Sequence, residues 1–138
     1  MILLELNTGD ERPIYCQIAD RVKFAVAGGA LRPGDLIPSV RELSKQLVVN
    51  PNTVARAYRD LQAEGLVESV RGMGLQVVEG AIEPCRTARR ELVRQRIRTA
   101  IEEARRSRME PSEIESILHE EWARSGAAGH CRPRERLA

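Results

Sequence analysis

The stretch VVNPNTV, Val48 to Val54, decides how the chain is read. An Asn side chain such as that of Asn50 can accept a hydrogen bond from an unpaired N–H of a helix's first turn. Pro51 suits the first helical position because the donor it lacks would go unpaired there. A helix therefore starts at Pro51. Its next two residues, Asn52 and Thr53, are short, polar and mediocre for a helix, because such side chains compete for the backbone. The leading end of this helix offers hydrogen-bonding groups to something outside it.

Working outward, Val54, Tyr58 and Leu61 line the inner side of the helix, and Gly65 stops it where φ > 0 is usual. Upstream, Ser39 and Glu42 form an S-x-x-E capping box that starts another helix, with Val40, Leu43 and Leu47 as its buried face. Only Leu47 to Val49 separate the two. Further upstream, Pro13 opens a first helix whose apolar stripe is Ile14, Ile18, Val22 and Val26. Gly28-Gly29 ends it, and Pro33-Gly34 suits the centre of a type II turn. Beyond Gly65 come two short β patterns, LVESV (66–70) and LQVVE (75–79), around a glycine-rich tip, RGMG, from Arg71 to Gly74. Three helices with a tight turn between the last two, followed by a β-hairpin, is the order of a winged helix-turn-helix. The expected class is mostly α with a small β-hairpin. ILLEL at 2–6 reads as a short strand or an arm.

From Glu83 the texture changes. Residues 84–107 read as one long helix with Ala88, Leu92, Ile97, Ile101 and Ala104 on an imperfect apolar face. Pro111 and a second S-x-x-E pair, Ser112 to Glu115, announce another, with Ile114, Ile117, Leu118 and Trp122 as its stripe. From Ser125 on there is no periodicity, and a disordered tail is expected. The domain reading is 1–80 winged helix-turn-helix, 81–124 helical dimerisation or effector segment, 125–138 tail. Two such helices bury little by themselves and need a partner. The same pair from a second copy would complete them in an isologous interface, giving a homodimer. Leu92, Ile97, Ile101, Ile114, Ile117, Leu118 and Trp122 are its expected contacts.

Composition narrows the partner. Aromatics make up 3% of the chain, too few for a stacking platform for single strands. Net charge is only +2, yet residues 86–108 hold nine Arg against three Glu, so any anionic partner must be met by local placement. That Arg-rich run reads either as a solvated, partly Glu-paired face or as a contact with an anion. Cys16, Cys85 and Cys131 are widely spaced, and His119 and His130 stand at no ligand spacing, so neither a metal nor a disulfide framework is expected. No paired catalytic carboxylates or nucleophile–base set can be picked out, and no enzyme or cofactor is expected. The opening MILLELNTGDE has no signal-peptide pattern and no apolar run reaches spanning length, so a cytoplasmic chain with no membrane association is expected.

A helix-turn-helix lays its second helix in the major groove of double-stranded DNA, leading residues towards base edges. Asn52 matches the N6/N7 edge of adenine, and Thr53 offers a hydroxyl and a methyl to thymine. Arg56, one turn on, reaches guanine or phosphate. Arg41, in the first turn of the preceding helix, opposes the helix dipole and makes sense beside a phosphate. Arg71 at the hairpin tip suits the minor groove or backbone. Taken singly, each has a plainer reading as a cap or a solvated side chain; Asn50 and Ser39 are sufficiently explained as caps. A protein-binding module with an Arg-rich helix for an acidic partner is the alternative.

Residues 13–78 resemble the DNA-binding domain of the GntR family of bacterial transcription regulators, on PIYCQI, LRPGDLIPSVRELSKQL, VNPNTVARAYRDLQAEGLV and RGMGLQV. The NPNTVARAY form with a short C-terminal segment resembles the YtrA subfamily. The resemblance implies a homodimeric regulator, usually a repressor, on a two-fold symmetric operator. It gives DNA-contact roles to Arg41, Asn50, Asn52, Thr53 and the wing glycine Gly72. The chain departs from many relatives at Val48, where they have Gly, and at Pro51, where other subfamilies have Arg. A Val at 48 costs strain if that position needs φ > 0. The segment after the wing has little volume for a closed small-molecule effector pocket of about 300–1,000 Å³.

Overall fold

The computed structural model describes residues 11–128. The expected arm at 2–6, His130, Cys131 and the end of the tail lie outside them. The elements are α1 (Ile14–Ala27), α2 (Val40–Leu47), α3 (Pro51–Ala63), β1 (Val67–Val70), β2 (Gly74–Val77), α4 (Ile82–Arg106) and α5 (Pro111–Ala128). By compactness the chain divides into one unit running to Val93 and a second beginning at Arg94.

In the first unit, Ile18, Val22 and Val26 of α1 are buried as their spacing requires, while Ile14 stays 44% exposed. On α3, Val54, Ala57, Tyr58 and Leu61 fall at i, i+3, i+4 and i+7 and turn one face into the same core. Leu43 of α2 completes the helical part, and Leu66, Val67 and Val77 bring in the hairpin. Lys23 Nζ meets Glu64 Oε2 at 2.8 Å, tying α1 to the end of α3, and the Arg12 guanidinium pairs with the Asp20 carboxylate. α3 ends in a Schellman motif. Gly65 sits at φ 74°, its N–H bonds Gln62 O, and the N–H of Leu66 bonds Leu61 O.

β1 and β2 pair antiparallel with Val67 opposite Val77 and Val70 opposite Gly74. The stretch 34–37, read from sequence as a turn and loop, adds a third line to this sheet. Gly34 N–H bonds Val77 O, Val77 N–H bonds Asp35 O, and Ile37 N–H bonds Leu75 O. The turn before it is as expected: Asp35 N–H closes on Arg32 O, with Gly34 at φ 91°.

α4 begins two residues before its expected start; Pro84 falls in the first turn, where its missing N–H breaks no bond. Its first turns belong to the first unit's core, since Ala81 and Cys85 are buried. The expected boundary at 80/81 therefore does not coincide with that of the compact units. Burial pushes the Cys85 thiol pKa up; Lys23 opposes the shift and Glu64 adds to it. The thiol stays protonated at neutral pH and behaves as a small apolar side chain.

In the second unit, α5 opens on Pro111, with Ile114 N–H bonding Glu110 O. Ser112 thus stands inside the first turn, and the 112–115 pair does not cap the helix as expected; the fixed φ of Pro111 claims the first helical position instead. α5 runs to Ala128, four residues past its expected end at 124, so 125–128 are helical rather than tail. No residue described between 94 and 126 is buried. Ile97, Ile117, Leu118 and Trp122 are 49%, 40%, 46% and 72% exposed, a large apolar display for so short a segment. Among the described residues no helix is long and apolar enough to cross a membrane.

Candidate nucleic-acid interface

α2 and α3 are each capped at their starts. Ser39 Oγ accepts from Glu42 N–H at 3.1 Å at the start of α2, which is half of the expected capping box. At the start of α3, Asn50 Oδ1 accepts from Asn52 N–H at 2.8 Å. The cap role of Asn50 is therefore realised, and its side-chain oxygen is engaged. Between them Val48 adopts φ 54°, ψ 53°, and Val49 N–H reaches back to Ser44 O. Val48 occupies the left-handed position that glycine usually fills, at a cost of about 1–2 kcal/mol. Its side chain is 89% exposed and returns no packing. Val48→Gly is expected to raise stability by about 1 kcal/mol after the entropy cost of glycine, read as a higher urea midpoint with an unchanged slope. An unchanged or lower midpoint would show that Val48 is not strained.

Asn52 is exposed and Thr53 half-buried, so the first turn of α3 presents its polar groups outward while Val54 plugs the core beneath them. Arg56 follows Asn52 by four residues on the same exposed face. Its guanidinium lies over the Tyr15 ring of α1, 3.8 Å from the centroid. Tyr58, on the inner side, donates its hydroxyl to Pro38 O at 2.7 Å and fastens α3 to the residues before α2. Burial, with Glu42 nearby, raises the Tyr58 pKa, so this donor stays protonated.

Arg41 is exposed in the first turn of α2, and Lys45 stands four residues on. With Ser44, Val48, Val49 and Pro51 they line an open groove of about 710 Å³ beside the start of α3. Lys45 was missed in the sequence; the signal was its i+4 spacing from Arg41. Tyr15 escapes a sequence reading too, because its partner Arg56 lies far along the chain, on another helix. At the hairpin tip, Met73 N–H closes on Val70 O, with exposed Arg71 and Gly72 between them and Gly72 at φ 77°. Arg41 thus lines the groove beside the start of α3, Asn50, Asn52 and Thr53 form that start, Arg56 lies one turn on against Tyr15, and Arg71 and Gly72 lie on the hairpin. Among the described residues no group of three or more His, Cys, Asp or Glu could hold a metal ion.

Residues 14–77 match the family described as bacterial regulatory proteins, gntR family. The HTH-type transcriptional repressor YtrA of Bacillus subtilis is 30% identical over 118 residues, which are 86% of this chain and 91% of that protein. The chain belongs to the gntR family. A second Bacillus subtilis protein, the HTH-type transcriptional regulator YhcF, is 46% identical over 51% of this chain but is itself covered to only 58%. Among solved structures, a GntR family transcriptional regulator from Listeria monocytogenes superposes with a TM-score of 0.64 at 30% identity, over 80% of this chain and 96% of that one. A transcriptional regulator from Oenococcus oeni gives 0.61 at 30% identity, over 83% and 95%. The gntR match begins at the first residue of α1 and ends at the last of β2, so it covers the winged helix-turn-helix. A gntR protein is a DNA-binding transcription regulator and not an enzyme, and the winged-helix expectation is met.

Proposed function

We propose that the protein is a homodimeric repressor on a two-fold symmetric operator, with α3 in the major groove and the β1–β2 hairpin on the minor groove or backbone. The observation that carries this reading is the first turn of α3. It is capped, fixed to the core by Val54, and turned outward with Asn52 and Thr53 at its leading end. Asn52 and Thr53 read base edges; Arg56 takes guanine or phosphate. Arg41 and Lys45 flank them as phosphate contacts, and Asn50 contributes mainly by setting the helix start. Arg71 and Gly72 approach the adjacent backbone. The likeness to the YtrA repressor over most of its length supports repression as the outcome. The exposed stripe of Ile97, Ile117, Leu118 and Trp122, with Leu92, Ile101 and Ile114, forms the dimer contact. On this reading residues 1–80 bind DNA and the segment from 81 dimerises.

A footprint of the pure protein on the DNA upstream of its own gene tests the assignment. Two protected half-sites related by a dyad are expected. Binding should weaken steeply with salt, and Arg41→Ala should flatten the log–log salt slope by about 1. Asn52→Ala should instead cost about 1–3 kcal/mol at particular base pairs. If both variants bind every sequence as the parent does, this face does not dock on DNA.

A further inference from the structure

We propose that Tyr15 is a positioning residue for operator recognition: its ring holds the Arg56 guanidinium in the pose that α3 presents to DNA. This rests on the docking of α3 proposed above. Arg56 is exposed, and a free arginine of its length would sample many rotamers and lose them on binding. Here the guanidinium carbon already sits over an aromatic face, 3.8 Å from the ring centroid. The platform itself is fixed, since Tyr15 is half-buried and packs against the hydrophobic core. A second cross-contact holds the two helices in register. Lys23 meets Glu64 eight residues further along each helix, so α1 and α3 run side by side in the same sense over roughly 12 Å. Ring and guanidinium are thus pinned at one end by their stack and at the other by an ion pair.

A prepaid rotamer lowers the entropy lost when Arg56 meets DNA, and it aims the planar fork. Tyr15 need not touch a base to affect base choice. The contact is made to the ring face, so the ring, not the hydroxyl, carries the role.

The test is a double-mutant cycle on operator binding by the full chain. Tyr15→Phe keeps the ring and should bind like the parent. Tyr15→Leu should weaken the operator complex about two- to fivefold, the size of an exposed cation–π contact. Arg56→Ala should weaken it at least as much, and adding Tyr15→Leu to Arg56→Ala should weaken it no further. Full additivity would overturn the proposal, as would normal binding by either single variant. Asn52→Ala, measured alongside, separates the two failures. If Asn52→Ala also binds normally, the docking of α3 is wrong; if it alone loses affinity, only the role of Tyr15 falls. Should Tyr15→Leu fail to fold, the Arg56 side chain can be read directly in the parent protein. Its Nε–H order parameter should exceed that of the exposed Arg41, and equal mobility would overturn the proposal.

Discussion

Ile117→Asp is expected to give a monomer that binds its full operator roughly 10²–10⁴-fold more weakly than the parent, the avidity lost when two linked half-site contacts become one. Ile117 is 40% exposed in the single chain, beside Leu118 at 46%, which is itself about one turn from Trp122 at 72%. In the proposed dimer these side chains bury one another, and placing a carboxylate among them carries the cost of removing a charge from water. Sedimentation equilibrium reads the mass, and gel shifts on full and half operators read the affinity. Parent and variant should bind an isolated half-site alike, because α3 is untouched. A variant that stays dimeric with full affinity would remove this face from the interface.

The second large effect is on stability. Leu61→Ala should cost about 2–5 kcal/mol in thermal or urea unfolding. Leu61 is fully buried on the inner face of α3, and its carbonyl accepts the N–H of Leu66 in the motif that ends the helix. The truncation leaves a cavity where α3 meets the strand that follows it. The exposed control Arg59→Ala should stay within about 0.5 kcal/mol. A loss below 1 kcal/mol for Leu61→Ala would mean that the core is not packed as described.

Much of this arrangement was legible because it is local. The Asn50-Pro51 start, the Ser39 cap and the Pro33-Gly34 turn each follow from a few adjacent residues and stand where expected. The hairpin forms too, but its strands are Val67–Val70 and Gly74–Val77 rather than 66–70 and 75–79, so Gly74 of the expected tip already pairs. What escaped was longer in range. The pairing of 34–37 with β2 cannot be seen in either segment alone, and the Tyr15–Arg56 stack joins residues far apart in the chain. The start of α5 escaped for another reason. Two valid capping signals overlapped at 110–115, and the rigid ring of Pro111 settled the outcome. The change of composition after the hairpin marks a boundary at 80/81, whereas packing carries Ala81 and Cys85 into the first core.

The hairpin has no hinge of its own. Its second strand is stitched along its length to the connector between α1 and α2 through Gly34, Asp35 and Ile37. Connector and wing therefore form one hydrogen-bonded plate, with Pro38 at its margin held by the Tyr58 hydroxyl of α3. A substitution in the connector is therefore expected to displace the wing without altering a single residue of it.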